Sequence, residues 1–237
     1  MEPVFLSDIE LYFSEKISDD IIKIDGEEYN HIVHVMRHRI NDLLHVTDGM
    51  GAIFISQIKE ISNQIVAAKI IDKILYPNKF GNITFCIPIL KSADRLEFAL
   101  EKCIEVGITN FIIFASDFSV KKLLKLSRIE KIAFAAMKQS LRAWKPKISF
   151  TEKLKNLITP DADLIVFDQN AEIHFDSEFI SQKIHHDNKY YFIFGPEGGF
   201  SPKEYEIMIP FRKVHLTQNR LRSETAIIAA GLMIGID

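Results

Sequence analysis

The sequence predicts an α/β protein in two parts. A small β-barrel domain occupies residues 1–74, a linker 75–81, and a larger domain with a mostly parallel sheet 82–237. Three observations lead there. Short apolar runs separated by turn residues fill the first part, the pattern of a small barrel or sandwich. Leu75-Tyr76-Pro77-Asn78-Lys79-Phe80-Gly81 brings proline, asparagine and glycine into one short stretch, the composition of a linker. Beyond it, strand-like runs alternate with helical periodicity, which argues for a parallel sheet covered on both faces.

In the first part the apolar runs are Val4-Phe5-Leu6 and residues 21–24, 43–46, 52–55 and 65–71. Asp25-Gly26, Asn41-Asp42, Asp48-Gly49 and Ser62-Asn63 supply the turns between them. Residues 27–39 read as a helix crossing the barrel. On it His31, His34 and His38 fall on one face, and His34 and His38 have the i, i+4 spacing of a helical zinc pair. No glutamate follows His34 and no cysteine lies nearby, so packing and surface histidines are expected, and no metal. Arg37 on the same helix suits either phosphate contact or an ion pair with an acidic neighbour.

In the second part residues 83–89 are strand-like. Leu96, Ala99, Leu100, Cys103 and Ile104 then recur at helical spacing, with Gly107 placed to end the helix. Phe111-Ile112-Ile113-Phe114 reads as a strand. Ser127-Arg128-Ile129-Glu130 has the form of a capping box opening a helix whose Ile129, Ile132, Ala133, Ala136 and Ser140 share a face. Gln139 and Arg142 are three apart and project from one side of its end. Leu164-Ile165-Val166-Phe167 is a further strand.

Residues 190–226 hold the candidate site. The buried-strand run Tyr190-Tyr191-Phe192-Ile193-Phe194 meets Gly195-Pro196-Glu197-Gly198-Gly199-Phe200, where the backbone is free to approach a ligand. Ser201-Pro202-Lys203-Glu204 is a capping box with proline at the first helical position. Lys213-Val214-His215-Leu216 reads as a strand, followed by a polar loop with Arg220 and Arg222 and an apolar helix over about 225–236. Either these are ordinary surface turns, or two loops beyond the carboxyl ends of strands form a ligand site. Neither a Walker A spacing nor a G-x-G-x-x-G opening a helix is present.

Together the loops are similar to a known family. Gly195-Pro196-Glu197-Gly198-Gly199-Phe200-Ser201, Leu216, and Leu221-Arg222-Ser223-Glu224-Thr225-Ala226 resemble the RsmE family, 16S ribosomal RNA N3-uridine methyltransferases of the SPOUT superfamily. The second motif departs from the family at Thr217, Asn219 and Arg220. Similarity extends upstream through His31 to Arg37, Lys91 and Arg95, residues 101–108, residues 116–120 (with Phe118 where the family has arginine), and Lys138-Gln139-Ser140 with Arg142. The resemblance implies a PUA-like RNA-binding barrel, and a SPOUT domain whose C-terminal segment threads a trefoil knot. It implies S-adenosylmethionine held by Phe167, Gly195, Pro196, Gly198, Leu216 and Leu221. Arg222 and Glu197 stand at the catalytic positions, and Arg37, Gln139, Arg142 and Arg220 at RNA-binding ones. The implied partners are 16S rRNA within the 30S subunit and a second copy of the chain, in the cytoplasm. Two other targets stay open: a ribose 2′-oxygen, or RNA binding without catalysis.

Composition agrees with a soluble chain. No stretch approaches the roughly 18 apolar residues of a membrane span, and the first residues lack the basic region of a signal peptide. Cys86 and Cys103 have no metal spacing and read as buried thiols of a reducing compartment. Net charge is −3, yet residues 75–155 carry 15 basic and 7 acidic groups. That excess fits either a phosphate backbone or simply solvated helix faces. The final apolar helix fits either a dimer interface or the core.

Overall fold

The computed structural model describes residues 9–119 and 125–235. The run Val4-Phe5-Leu6 lies outside them. The chain forms two compact units: the described part of Met1–Asn78 with Met137–Lys145, and Lys79–Ala136 with Pro146–Asp237 as far as described.

The first unit is a six-stranded sheet. Its elements are β1 (Leu11–Phe13), β2 (Ile17–Ser18), β3 (Ile21–Ile24), α1 (Gly26–Asn30), β4 (Leu43–Thr47), β5 (Ala52–Ser62) and β6 (Ile65–Leu75). The strand order is β1-β4-β5-β6-β3-β2, antiparallel except for β1 beside β4. The β5–β6 hairpin turns at Asn63 and Gln64, both at positive φ, the backbone of a primed turn that matches strand twist. Register shifts at Ile55/Ser56 and Ile58/Glu60 bend the hairpin around a core of Tyr12, Ile22, Ile24, Ile32, Leu44, Val46, Ile58 and Val66. β6 runs to Leu75, so irregular chain begins at Tyr76 rather than at 75.

The helix expected over 27–39 is shorter. α1 continues as a π-helical turn over His31–Val35 and stops. The Met36 N–H donates to the His31 carbonyl and the His38 N–H to that of Ile32, closing the helix with Arg37 at φ 59°. Arg37 therefore stands in the closing turn, not on the helix. His31 and His38 both pack edge-on against Tyr12, and His34 turns elsewhere. His38 Nε2 lies 3.2 Å from the Tyr12 hydroxyl and its Nδ1 3.4 Å from Asp42, while His34 packs edge-on against Tyr29. Among the described residues no three metal-ligating side chains gather.

Met137–Lys145 is stitched into this sheet. The Ala143 carbonyl accepts from Gly51 N–H (3.0 Å) and Thr47 Oγ1 (3.2 Å), Trp144 Nε1 donates to the Tyr76 carbonyl (2.8 Å), and Lys145 N–H donates to Gly49 O (2.9 Å). Gly51 is needed there: a Cβ would sit 2.5 Å from Trp144 Cζ2. Lys138 pairs with Glu28.

The second unit contains β7 (Ile83–Pro88), α2 (Ala93–Glu105), β8 (Asn110–Phe114), α3 (Leu126–Gln139, to Ala136 in this unit), β9 (Lys147–Thr151), β10 (Asp163–Phe167), β11 (Ile173–His174), α4 (Ser177–Lys183), β12 (Tyr190–Phe194), α5 (Pro202–Met208), β13 (Arg212–His215) and α6 (Ser223–Gly235). The seven strands run β11-β13-β10-β12-β7-β8-β9, all parallel. Side-chain alternation places Phe85, Phe167, Phe192 and Phe194 on one face, with Phe85 stacked on Phe192 and Phe167 on Phe194. Cys86, Leu164, Val166 and Ile193 fill the other. Each such phenylalanine contributes about 1.5–3 kcal/mol on burial.

α2 buries Leu96, Ala99, Leu100, Cys103 and Ile104, as the spacing predicts, and Gly107 (φ 103°) closes it with the Ile108 N–H on the Cys103 carbonyl. α3 begins at Leu126, two residues before the start that a Ser127 cap implies. The Lys125 carbonyl accepts from Arg128 and Ile129, so Ser127 lies inside the first turn and is not its cap. The helix also ends at Gln139. Leu141 (φ 56°) turns the chain and Arg142 lies beyond it, so Gln139 and Arg142 do not share a helix face. Part of the basic excess is neutralised locally, Arg128 by Glu97 and Lys102 by Glu101 and Glu105.

Candidate functional site

β10, β12 and β13 lie side by side and end in register: Phe167 opposes Phe194 on one side and Val214 on the other. Their three following loops therefore leave the sheet at one level, beyond the carboxyl edge where ligands of parallel sheets bind. They enclose a cleft of about 600 Å³, within the range of roughly 300–1,000 Å³ usual for small-molecule sites. Phe167 and Phe194, stacked with centroids 4.6 Å apart, form an apolar floor. Gly195, Pro196, Glu197 and Gly199 come from the second loop, and Leu216, Thr217, Asn219, Arg220, Leu221 and Arg222 from the third.

The loops are tied to one another and to the scaffold. Ser223 Oγ donates to the Gly195 carbonyl (2.8 Å), joining third loop to second. The Glu197 carboxylate accepts the Lys91 N–H (3.0 Å), anchoring the second loop to the chain after β7. The Pro196 carbonyl accepts the Gly199 N–H (2.9 Å), and Gly199 takes φ 75° in that turn. A Cβ on Gly195 would meet the Phe200 ring at 3.2 Å, so a side chain there has no room without displacing the ring. The predicted capping box is complete: Ser201 Oγ accepts the Glu204 N–H, and Glu204 Oε2 accepts the Ser201 N–H at 2.8 Å. The same buried carboxylate accepts Ser116 Oγ (2.9 Å) and the Asp117 N–H (3.1 Å), while Ser201 Oγ donates to Asp117 (2.6 Å). One side chain thus caps α5 and holds the segment after β8.

The family models match this arrangement: residues 77–234 fit an RNA methyltransferase domain and residues 24–71 an RNA methyltransferase PUA domain. The chain belongs to this RNA methyltransferase family. A ribosomal RNA small subunit methyltransferase E 2 of Borreliella burgdorferi is 30% identical over 220 residues, 88% of each chain. The crystal structure of a probable rRNA-methyltransferase from Porphyromonas gingivalis superposes with TM-score 0.80 at 28% identity, over 95% of this chain and 97% of that one. A ribosomal RNA small subunit methyltransferase E from Neisseria gonorrhoeae, solved with S-adenosyl methionine bound, shares the fold at TM-score 0.76 and 22% identity, over 94% and 95% of the two chains.

Of the residues singled out in the sequence of this RNA methyltransferase, Phe167, Gly195, Pro196, Glu197, Leu216, Leu221, Arg220 and Arg222 all line the cleft. Gly198 does not. It is exposed, and a Cβ on it would touch Phe118. Arg37, Gln139 and Arg142 belong to the first unit, where burial lowers the pKa of the Arg142 guanidinium.

Sequence reasoning gave no site role to Asp168, Tyr205, His215 or Ser223, which also line the cleft. Asp168 Oδ2 accepts the Tyr205 hydroxyl and its Oδ1 the Asn170 N–H (2.9 Å), bridging the first loop to α5. Burial and that hydrogen bond push the Tyr205 phenol up to about 12. His215 stacks on His174 with centroids 5.0 Å apart, and its Nδ1 is buried without a hydrogen-bond partner. Asp168 follows a strand as an acidic loop residue, a signal the sequence does carry. The pairing across to Tyr205 has none.

Proposed function

We propose that this protein transfers a methyl group from S-adenosylmethionine to N3 of a uridine in 16S ribosomal RNA. The observation that carries the reading is the in-register ending of β10, β12 and β13, whose loops close an apolar-floored cleft against a glycine turn where a Cβ at 195 would crowd the Phe200 ring. The residues fit the cofactor. Phe167, Pro196, Leu216 and Leu221 offer apolar walls to an adenine, and the loop backbones offer hydrogen bonds.

When bound, the cofactor supplies a methyl group made electrophilic by the sulfonium, so the protein's task is positioning and charge. Arg222, exposed at the rim, binds the uridine or the phosphate beside it and offsets the negative charge that develops on the pyrimidine as N3 passes its proton to solvent. Glu197 holds the glycine turn on Lys91 N–H and thereby fixes the base relative to the methyl group. Arg220 contacts RNA at the rim, and Arg37, Gln139 and Arg142 do so from the PUA unit. A uridine N3 is reached only when unpaired, so the substrate is an opened segment of RNA, in the 30S particle.

We further infer a homodimer working in the cytoplasm, with the SPOUT trefoil knot. Beyond its polar first turn α6 is apolar, and Leu232 is exposed on it with Ile228 and Met233 half-buried beside it, which supports a subunit contact there. Calorimetric titration with S-adenosylmethionine, on wild type and Gly195→Trp, tests the cofactor site. Binding by wild type alone is expected. Methyl transfer to unmodified 30S subunits, followed by nucleoside mass spectrometry, should then yield N3-methyluridine. A 2′-O-methyl product would move the target to the ribose, and no cofactor binding with or without 30S subunits would refute the enzyme.

A further inference from the structure

At the rim of the cleft Glu224 lies between two arginines, Arg95 of α2 and Arg222 of the third loop. Glu224, in the first turn of α6, is only 12% exposed in its side chain. Its Oε1 lies 3.5 Å from Arg95 Nε and 4.0 Å from Arg222 Nη1, and its Oε2 is buried without a hydrogen bond. Both distances exceed the roughly 2.7–3.2 Å of a good N–H···O bond. The carboxylate thus attracts two guanidiniums without satisfying either. Neither donates a hydrogen bond to another group among the described residues. The cluster holds two positive charges against one negative, and the positive edges face outward: side-chain exposure is 42% for Arg95 and 70% for Arg222.

The buried carboxylate offsets the repulsion of the two guanidiniums from behind and leaves the planar donor forks open in front. Such forks match the paired oxygens of a phosphate. The positive end of α6, a 13-residue helix, adds to the same field. Placement agrees. Arg222 lines the cleft, Ser223 beside it is bonded to Gly195, and Arg95 comes from α2, which follows β7, the sheet neighbour of β12.

We propose that Arg95 and Arg222, gathered by the buried Glu224, bind a backbone phosphate of the RNA strand next to the base that enters the cleft, with Glu224 as the positioning residue. This rests on the RNA methyltransferase reading above.

The test measures binding to 30S subunits carrying unmodified 16S rRNA across a potassium chloride series, together with S-adenosylmethionine calorimetry and methyl-transfer kinetics, for wild type, R95A, R95K, R222A and E224Q. R95A is expected to weaken RNA binding about tenfold, the loss of one hydrogen bond to a charged group. It should also lower the slope of log K against log salt by about 0.7, one single-strand phosphate. Cofactor affinity should stay within about twofold of wild type, the KM for 30S subunits should rise more than kcat falls, and R95K should restore the slope but not the full affinity, as a point charge replaces a fork. E224Q raises the net positive charge, so charge counting alone predicts tighter RNA binding. The clamp predicts weaker binding.

An unchanged salt slope in R95A, or tighter RNA binding by E224Q, overturns the clamp. So does a loss of cofactor affinity in R95A, which would assign the arginines to the cofactor's carboxylate. Wild-type methyl transfer with no effect of R95A leaves the function standing without the clamp. Slope loss in R95A without any methyl transfer by wild type leaves the clamp standing without the function.

Discussion

Replacing Glu204 by glutamine isolates the joint beneath the glycine turn. Glu204 is 5% exposed, and its carboxylate accepts from Ser116 Oγ and the Asp117 N–H besides the Ser201 N–H that completes the cap of α5. Glutamine keeps the volume. Its single carbonyl oxygen best replaces Oε2, which holds Ser201 N–H and Ser116 Oγ. Its NH2 then stands about where Oε1 stood, 3.1 Å from the Asp117 N–H, donor facing donor. One bond to a charged group is lost, about 1.5–3 kcal/mol, and two others become neutral bonds, about 0.5–1 kcal/mol each. The sum is about 2.5–5 kcal/mol, a fall in Tm of about 5–20 °C for a unit of this size. Thermal unfolding followed by circular dichroism reads it. A double-mutant cycle with Ser201→Ala should show coupling above about 0.5 kcal/mol, because the two residues share one network. A Tm within about 2 °C of wild type, or additive losses, would mean that the network is not a unit.

Two further outcomes follow from single contacts. The Tyr205 phenol is raised to about 12 by burial and by Asp168, so its contribution to stability is complete below the ordinary tyrosine value near 10 and is lost as pH rises from about 10 through 12. Tyr205→Phe should therefore flatten the fall of Tm over that alkaline window relative to wild type, with little difference in pH dependence at pH 7–9. Gly235→Ala builds a Cβ 2.6 Å from the Val106 carbonyl oxygen at the α2–α6 contact. It should cost about 1–3 kcal/mol by overpacking, seen as a lower urea midpoint.

The sequence announces the buried strands and says little about the edges. Tyr190–Phe194 is found at its full length because a parallel strand covered on both faces is apolar without interruption. Lys147–Thr151 pairs on one side only and mixes lysine, serine and threonine with two apolar residues, so no buried run marks it. α4 went unread although Asp176 caps it through the Phe179 N–H, because too few turns follow for periodicity to build. Within the site, the glycine turn and the arginine loop are contiguous motifs and stand out. Asp168 with Tyr205, Ser223 with Gly195 and Glu224 with Arg95 are meetings across 28 to 129 positions that exist only once the strands are in register. The helix through Arg37 was overextended because nothing in His34-Val35-Met36-Arg37 forbids a helix. The carbonyls of His31 and Ile32, taken by Met36 and His38, end it.

The stitching of residues 137–145 into the first sheet decides how the protein can be cut. A fragment ending at residue 78 keeps every strand of that sheet yet uncovers Leu11 and Ile53, which pack with Ala143, and removes the acceptor of the Gly51 N–H. A fragment starting at residue 79 carries Trp144 away from the Tyr76 carbonyl it binds. Expression boundaries drawn at the linker alone should therefore yield aggregation-prone halves. Appending the short 137–145 segment to the first half restores both the cover and the acceptor.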